Sequence, residues 1–199
     1  MPRTRLQTLA DTVKGLIDAA ALLRDDAPTT GELQAIIDRG KFRPAENEAI
    51  GYWFARYLTI RESLWSVIDD VKEILDGTRS SDDEELRFFI VGYAAACVLV
   101  GIDRFMLFDV ASHSIIQRKF NEPFQELRIP RKQFTRVFEA FIRERSAWSL
   151  LDAMKFARKN RRRILALRTD PDVGPIVTHL DEIRRLSNSR DAEEHDTAS

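Results

Sequence analysis

Apolar residues recur every three or four positions along most of the chain, and this spacing is typical of amphipathic α-helices. One such stripe runs from about residue 4 to residue 24, and a shorter one runs from residue 29 to residue 40. A third starts at Pro44, a residue type favoured in the first helical turn, and ends at Gly77, a type favoured just past a helix. The pattern predicts three helices before residue 78.

A long apolar segment follows and predicts the central helix. Ser81–Glu84 has the spacing of a capping box and opens a helix of about residues 85–120. Between Phe88 and Ile102 this helix is apolar on every side, which is typical of an element surrounded by others. The run has 15 residues, fewer than the roughly 20 of a membrane span, so we expect no transmembrane segment. Gly92 is small and allows a neighbouring helix to approach closely.

Further breaks divide the remainder of the chain into helical segments. Pro130 opens one segment, a second covers about residues 149–168, and a third follows the break at Asp170–Pro175. Ser187–Ser199 is polar and lacks apolar periodicity, which predicts a disordered tail. We therefore predict an all-α fold, in which a single domain over residues 1–186 forms a bundle of about six or seven helices around the central helix.

The composition agrees with this fold class and narrows the setting. The chain has 199 residues, of which 44% are hydrophobic and 32% are charged, a mixture suited to one helical domain with a buried core. A single cysteine, Cys97, excludes an internal disulfide, and the first residues lack the apolar stretch of a signal peptide. We expect a soluble, cytoplasmic protein.

Charge is distributed unevenly along the chain. Residues 131–168 contain twelve Lys or Arg against three acidic residues, whereas residues 62–85 contain nine acidic residues against two basic ones. Helical spacing places five of the bases on one side, the basic face, which consists of Lys155, Arg158, Lys159, Arg162 and Arg163. This face predicts an anionic partner, which the sequence leaves open as another protein, a second copy of the chain, nucleic acid or an anionic lipid surface.

Two interpretations of the basic face need no external partner. The face can lie against the acidic 62–85 segment of the same chain, or it can be an ordinary solvated helix surface. The net charge of −1 and the pI of about 6.3 also disfavour a dedicated nucleic-acid binder, because such proteins are usually strongly basic.

Arg61 occupies a position where the periodicity of the third helix favours an apolar residue. The stripe proceeds through Ile50, Phe54, Tyr57, Arg61, Leu64, Ile68, Val71 and Leu75. A guanidinium in such a seam needs a buried acceptor, because an unpaired charge is costly to remove from water. Asp103 and Asp109 both interrupt apolar sequence and are the two candidate partners.

Asp109 and His113 lie four residues apart and would share one face of a helix. A carboxylate and an imidazole at this spacing can bind a metal or perform acid–base chemistry. Helical metal sites use more ligands, however, and the Glu-x-x-His pattern does not occur in the sequence. Arg61, Asp103, Asp109 and His113 therefore define a candidate buried polar pocket, for which we predict neither a cofactor nor a metal.

The sequence contains no phosphate-binding glycine loop, zinc-ligand spacing or nucleophile elbow. The first functional hypothesis is a non-catalytic helical interaction module that binds a partner protein, or another anionic partner, through the basic face. One alternative is a small helical enzyme or ligand-binding protein that uses the polar pocket. The other is a peripheral protein that binds anionic membranes.

Overall fold

The computed structural model describes residues 2–27, 30–39, 43–77, 81–105 and 151–183. All regular structure within these ranges is helical, and none of the ranges contains a strand. The prediction of an all-α helical bundle is confirmed. The predicted helix after Pro130, the part of the central helix beyond residue 105 and the predicted tail lie outside the described residues.

The helices are defined by the following bounds. They are α1 (Arg5–Asp25), α2 (Thr30–Arg39), α3 (Pro44–Gly77), α4 (Asp82–Arg104), α5 (residues 151–159), α6 (Arg161–Ala166) and α7 (residues 174–183). A 3-10 turn, Leu167–Thr169, follows α6. The predicted bounds of α3 are those observed.

Side-chain caps start two of the long helices. Thr4 Oγ1 accepts a hydrogen bond from the Gln7 backbone N–H at 3.2 Å, and Gln7 Oε1 accepts one from the Thr4 N–H at 3.0 Å. This capping box satisfies N–H groups that have no partner within the helix. At the start of α4, Ser81 Oγ accepts from the Glu84 N–H at 3.4 Å. The predicted beginnings of α1 and α4 are therefore confirmed.

The core lies between α1, α3 and α4, each of which contacts the other two. The predicted apolar stripes of α1 and α3 point into it, and Val13, Leu23 and Leu64 are fully buried. Trp53 of α3 packs at the same junction, where its indole Nε1 donates a hydrogen bond to the Leu23 carbonyl oxygen at 2.9 Å. Each large apolar side chain buried here stabilises the fold by roughly 1.5–3 kcal/mol.

Helix α4 is closely packed where it meets its neighbours, and one side of it, with Phe89, Tyr93 and Cys97, is half-buried. Ile90, Val91 and Ala94 are 0% exposed. A Cβ atom at Gly92 would lie 2.8 Å from Val71 Cγ1, nearer than two carbon atoms approach without displacement. The glycine therefore sets the distance between α4 and α3.

The segment from α5 to α7 docks on the first half of α4. The rings of Phe156 and Phe89 have centroids 4.3 Å apart, and Arg87 Nη2 lies 2.9 Å from Asp170 Oδ2. Asp170 Oδ1 accepts hydrogen bonds from the backbone N–H groups of residues 172 and 173, at 3.0 and 3.1 Å. Asp170, where the sequence predicted a break, thus caps the start of the last helical segment through Oδ1. Through Oδ2 it links this segment to Arg87 of α4.

Over the described residues, one stretch of helix, Asp82–Asp103, is long and apolar enough to cross a membrane by length and composition. Its length exceeds that of the uncharged run because the stretch includes charged residues at both ends. Within it, 56% of the apolar window is buried against the rest of the protein, and the core helix of a soluble protein passes the same test. The absence of a transmembrane segment stays a prediction.

Candidate functional site

Arg61 and Asp103 form an ion pair inside the helical core. Arg61 Nε donates a hydrogen bond to Asp103 Oδ1 at 3.2 Å and so joins α3 to α4. Tyr57, one turn earlier on α3, donates its hydroxyl proton to the same oxygen at 2.6 Å. The two donors converge because residues four apart project from the same face of a helix. Tyr57, Arg61 and Asp103 form the polar triad.

The polar triad is shielded from solvent, with exposures of 0% for Tyr57, 8% for Arg61 and 1% for Asp103. Burial raises the pKa of the Asp103 carboxyl above its ordinary value of 3.8, although the Arg61 charge and the Tyr57 hydrogen bond act in the opposite direction. Burial, followed by the adjacent Asp103 charge, raises the pKa of the Tyr57 hydroxyl. The phenol therefore keeps its proton and remains a donor.

The two oxygens of Asp103 have different surroundings. Oδ1 accepts both hydrogen bonds of the triad, whereas Oδ2 is buried and accepts none from any residue in the described ranges. The Arg61 guanidinium also extends toward the surface, where Nη1 donates to Glu62 Oε1 at 3.2 Å. Asp103 Oδ1 thus faces the buried Arg61 charge, and Asp103 Oδ2 retains unused hydrogen-bonding capacity.

The structure brings together two of the four predicted pocket residues. Arg61 contacts Asp103, the first of the two partners that the sequence suggested, whereas Asp109 and His113 lie outside the described residues. Within the described part of the chain, no group of three or more His, Cys, Asp or Glu residues could hold a metal ion. Sequence reasoning placed Tyr57 in the apolar stripe and missed its hydroxyl; its position one turn before Arg61 was the available signal.

The geometry of the polar triad favours a structural task over proton transfer. Asp103 is almost fully buried, and both donors on it belong to the opposite helix. A general acid or base must reach the substrate proton within hydrogen-bond distance, directly or through one water. The triad is better suited to fixing the register of α3 against α4, a task that buried polar pairs perform in other helical assemblies.

The basic face is exposed and spans a local irregularity. Helix α5 ends before Asn160, and α6 begins at Arg161, but the helical hydrogen bonds from the residue 160 N–H to Phe156 O and from the Ile164 N–H to Asn160 O, both 3.0 Å, carry the helical path across the turn. The five bases therefore remain on neighbouring turns, and all five are exposed: Lys155, Arg158, Lys159, Arg162 and Arg163.

Two of the five bases of the basic face form ion pairs with described residues. Arg163 Nη2 lies 3.3 Å from Asp83 Oδ1 at the start of α4, and Lys155 Nζ lies 3.6 Å from Asp152 Oδ1. Arg158, Lys159 and Arg162 form no ion pair with any described residue. Arg163 therefore contacts the acidic 62–85 segment, as one interpretation of the sequence expected. Among the described ion pairs, no other base of the basic face does so.

Cys97 offers no second reactive centre. Burial raises the pKa of its thiol to about 11, although a hydrogen bond with Tyr93 acts in the opposite direction. Since the thiolate is the nucleophile, a thiol with this pKa is almost entirely unreactive near neutral pH.

No protein-family model, no curated protein and no solved structure matches this chain.

Proposed function

We propose that the chain is a non-catalytic helical interaction module that binds an acidic protein partner through its basic face. The observation that carries the proposal is the set of three exposed bases, Arg158, Lys159 and Arg162, that have no ion-pair partner among the described residues. Adjacent exposed charges of one sign repel each other and attract a surface of the opposite sign. An acidic partner would relieve this repulsion on contact.

An exposed leucine favours a protein over a bare polyanion. Leu151 is 57% exposed and lies four residues before Lys155. Helical spacing aligns Leu151, Lys155, Arg158 and Arg162 in one stripe. Apolar and arginine side chains together are typical of the centres of protein interfaces, where a buried apolar contact supplies affinity and the charges supply specificity.

The proposal is tested by removing the unpaired charges and no others. Arg158→Ser/Lys159→Ser/Arg162→Ser leaves the Arg163–Asp83 pair intact. A control, Arg3→Ser/Arg5→Ser/Arg161→Ser, removes the same number of exposed charges elsewhere, among them Arg3, which pairs with Asp11 at 3.2 Å. Arg161 is an informative member of the control because it lies about 100° around the helix from Arg162.

Fluorescence anisotropy with labelled poly-L-glutamate measures the binding of an acidic polypeptide, and duplex DNA and anionic vesicles serve as the competing polyanions. We expect salt-sensitive binding of poly-L-glutamate that the face variant loses and the control retains. Equal affinities for the two variants would overturn the proposal. Preferential binding of DNA or of the vesicles would replace the protein partner by nucleic acid or by a membrane surface.

One observation favours a second candidate function, a ligand-binding site at the polar triad. Asp103 Oδ2 is a buried acceptor without a donor among the described residues, and a ligand with an N–H or O–H group could satisfy it. Thermal-shift screening of polar small molecules against the wild type and Asp103→Asn tests this candidate. A ligand that stabilises both proteins equally does not use this oxygen.

A further inference from the structure

A stripe of acidic side chains on α3 is exposed, as the basic face is. Asp69, Glu73 and Asp76 follow one another at steps of four and three residues and therefore form one line along the helix, the acidic stripe. All three are exposed, and none forms an ion pair with a described residue. Among the described residues, the acidic stripe and the bases Arg158, Lys159 and Arg162 are therefore exposed helix surfaces of opposite charge that form no ion pair.

The two surfaces match in length and in spacing. The acidic stripe covers seven residue steps, as does the line from Lys155 through Arg158 to Arg162, and seven steps correspond to about 10 Å of helix. The acidic steps are four then three, and the basic steps are three then four. In an antiparallel alignment the charges therefore fall opposite one another in the pairs Lys155–Asp76, Arg158–Glu73 and Arg162–Asp69.

These pairs do not form within one chain. Arg163 pairs with Asp83, but Arg163 lies outside the line Lys155, Arg158, Arg162, and Asp83 lies on α4, outside the acidic stripe. The line itself meets no residue of the acidic stripe, since Lys155 pairs only with its neighbour Asp152 within the described ranges. Mutual neutralisation of the two surfaces therefore requires two molecules.

We infer that the partner of the basic face is a second copy of this chain, whose acidic stripe docks antiparallel on it; this inference rests on the proposed function. A two-fold arrangement would form the contact twice, whereas a head-to-tail arrangement would leave one surface free at each end of an open chain. Because exposed ion pairs are weak and are screened by salt, the association is low in affinity and sensitive to ionic strength.

Charge reversal provides a test in which neither variant should self-associate, whereas the two variants mixed together should associate. Arg158→Glu/Arg162→Glu changes the charge of the line Lys155, Arg158, Arg162 from +3 to −1, and Asp69→Arg/Glu73→Arg changes that of the acidic stripe from −3 to +1. Sedimentation equilibrium at about 0.05 M and about 0.5 M salt measures association, and circular dichroism verifies that each variant is helical. Arg5→Glu/Arg161→Glu is the matched control for charge reversal outside the basic face.

The inference predicts that the wild type and the control associate at low salt and dissociate at high salt. Each reversed variant alone should lose roughly ten-fold or more of the association constant, and an equimolar mixture of the two should recover it. A wild type that is monomeric at low salt, or a mixture that fails to associate, overturns the second-copy partner. The poly-L-glutamate measurement distinguishes failure of this inference from failure of the proposed function. If poly-L-glutamate binds through the basic face but the chain does not self-associate, the proposed function stands and the partner is another acidic protein.

Discussion

Removal of one charge of the polar triad should destabilise the fold far more than removal of both. In Asp103→Leu the Arg61 guanidinium, with 9% of its side chain exposed, loses its buried carboxylate and keeps only the exposed Glu62. In Arg61→Met the Asp103 carboxylate, with a side-chain exposure of 1%, loses its counter-charge. A buried charge left without its partner costs about 3–5 kcal/mol of the free energy of unfolding.

The double variant Arg61→Met/Asp103→Leu removes both charges and retains most of the side-chain volume. Apolar replacement of a buried ion pair is neutral, or stabilising by up to about 4 kcal/mol, whereas loss of the Asp103 acceptor of the buried Tyr57 hydroxyl costs about 1–3 kcal/mol. We therefore expect the double variant to be more stable than either single variant. Tyr57→Phe removes one hydrogen bond to a charged acceptor and should cost about 1.5–3 kcal/mol. The effects of the two single substitutions are therefore strongly non-additive.

Urea unfolding followed by far-ultraviolet circular dichroism measures the wild type and the four variants, provided that the dependence of the free energy on urea is the same for each. Losses below about 1 kcal/mol in both single variants would mean that the charges behave as surface charges. A double variant whose loss equals the sum of the single losses would likewise refute the reasoning, since it would show that the two side chains are energetically independent.

Asp103→Asn adds a pH dependence to the same cluster. Because burial holds the folded-state pKa of Asp103 above 3.8, the folded protein binds this proton more tightly than the unfolded chain does. The stabilising contribution of this titration is full below the unfolded-state pKa and is lost as the pH rises through the folded-state value. The wild type should thus gain stability relative to Asp103→Asn as the pH falls toward about 4, and a pH-independent difference contradicts the assigned direction.

Three further predictions concern packing, capping and reactivity. Gly92→Ala should destabilise by up to about 2 kcal/mol in thermal unfolding, because the contact with Val71 outweighs the better helix propensity of alanine, whereas Gly51→Ala, with nothing within 4 Å, should stabilise by up to about 1 kcal/mol. Burial alone would raise the pKa of Asp170, but its backbone hydrogen bonds and the Arg87 charge lower it overall, so the cost of Asp170→Ala, about 1–2 kcal/mol, should shrink as the pH falls below 3.8 in urea unfolding at several pH values. Cys97 should react with a thiol reagent at neutral pH at least roughly ten-fold more slowly in the folded protein than in urea; equal rates contradict the raised thiol pKa.

Local signals were sufficient to predict most helix boundaries. Thr4 and Ser81 cap α1 and α4, and α3 begins at Pro44 and ends at Gly77, because capping and termination depend on a few neighbouring residues. The position of Arg61 within an apolar stripe also predicted a buried acceptor, since the cost of an unpaired buried charge does not depend on the details of the fold.

Three features of the structure could not be predicted from the sequence. The Tyr57 hydroxyl reaches Asp103 only because α3 and α4 adopt one particular register. The sequence around Asp170 predicts only a break between helices, because the ion pair of Asp170 with Arg87 forms only when the last segment packs on α4. The turn at Asn160 divides the basic segment where periodicity indicated one helix, because hydrophobic spacing does not report a single residue outside helical geometry.

The central claim is that the basic face is the surface through which this protein recognises an acidic partner. The most direct test is a titration of isotope-labelled protein with poly-L-glutamate at low salt, followed by backbone amide chemical shifts. The account predicts shifts concentrated in residues 151–163 that disappear in Arg158→Ser/Lys159→Ser/Arg162→Ser. Shifts spread evenly over all exposed bases, or centred on α1 around Arg3 and Arg5, would contradict it.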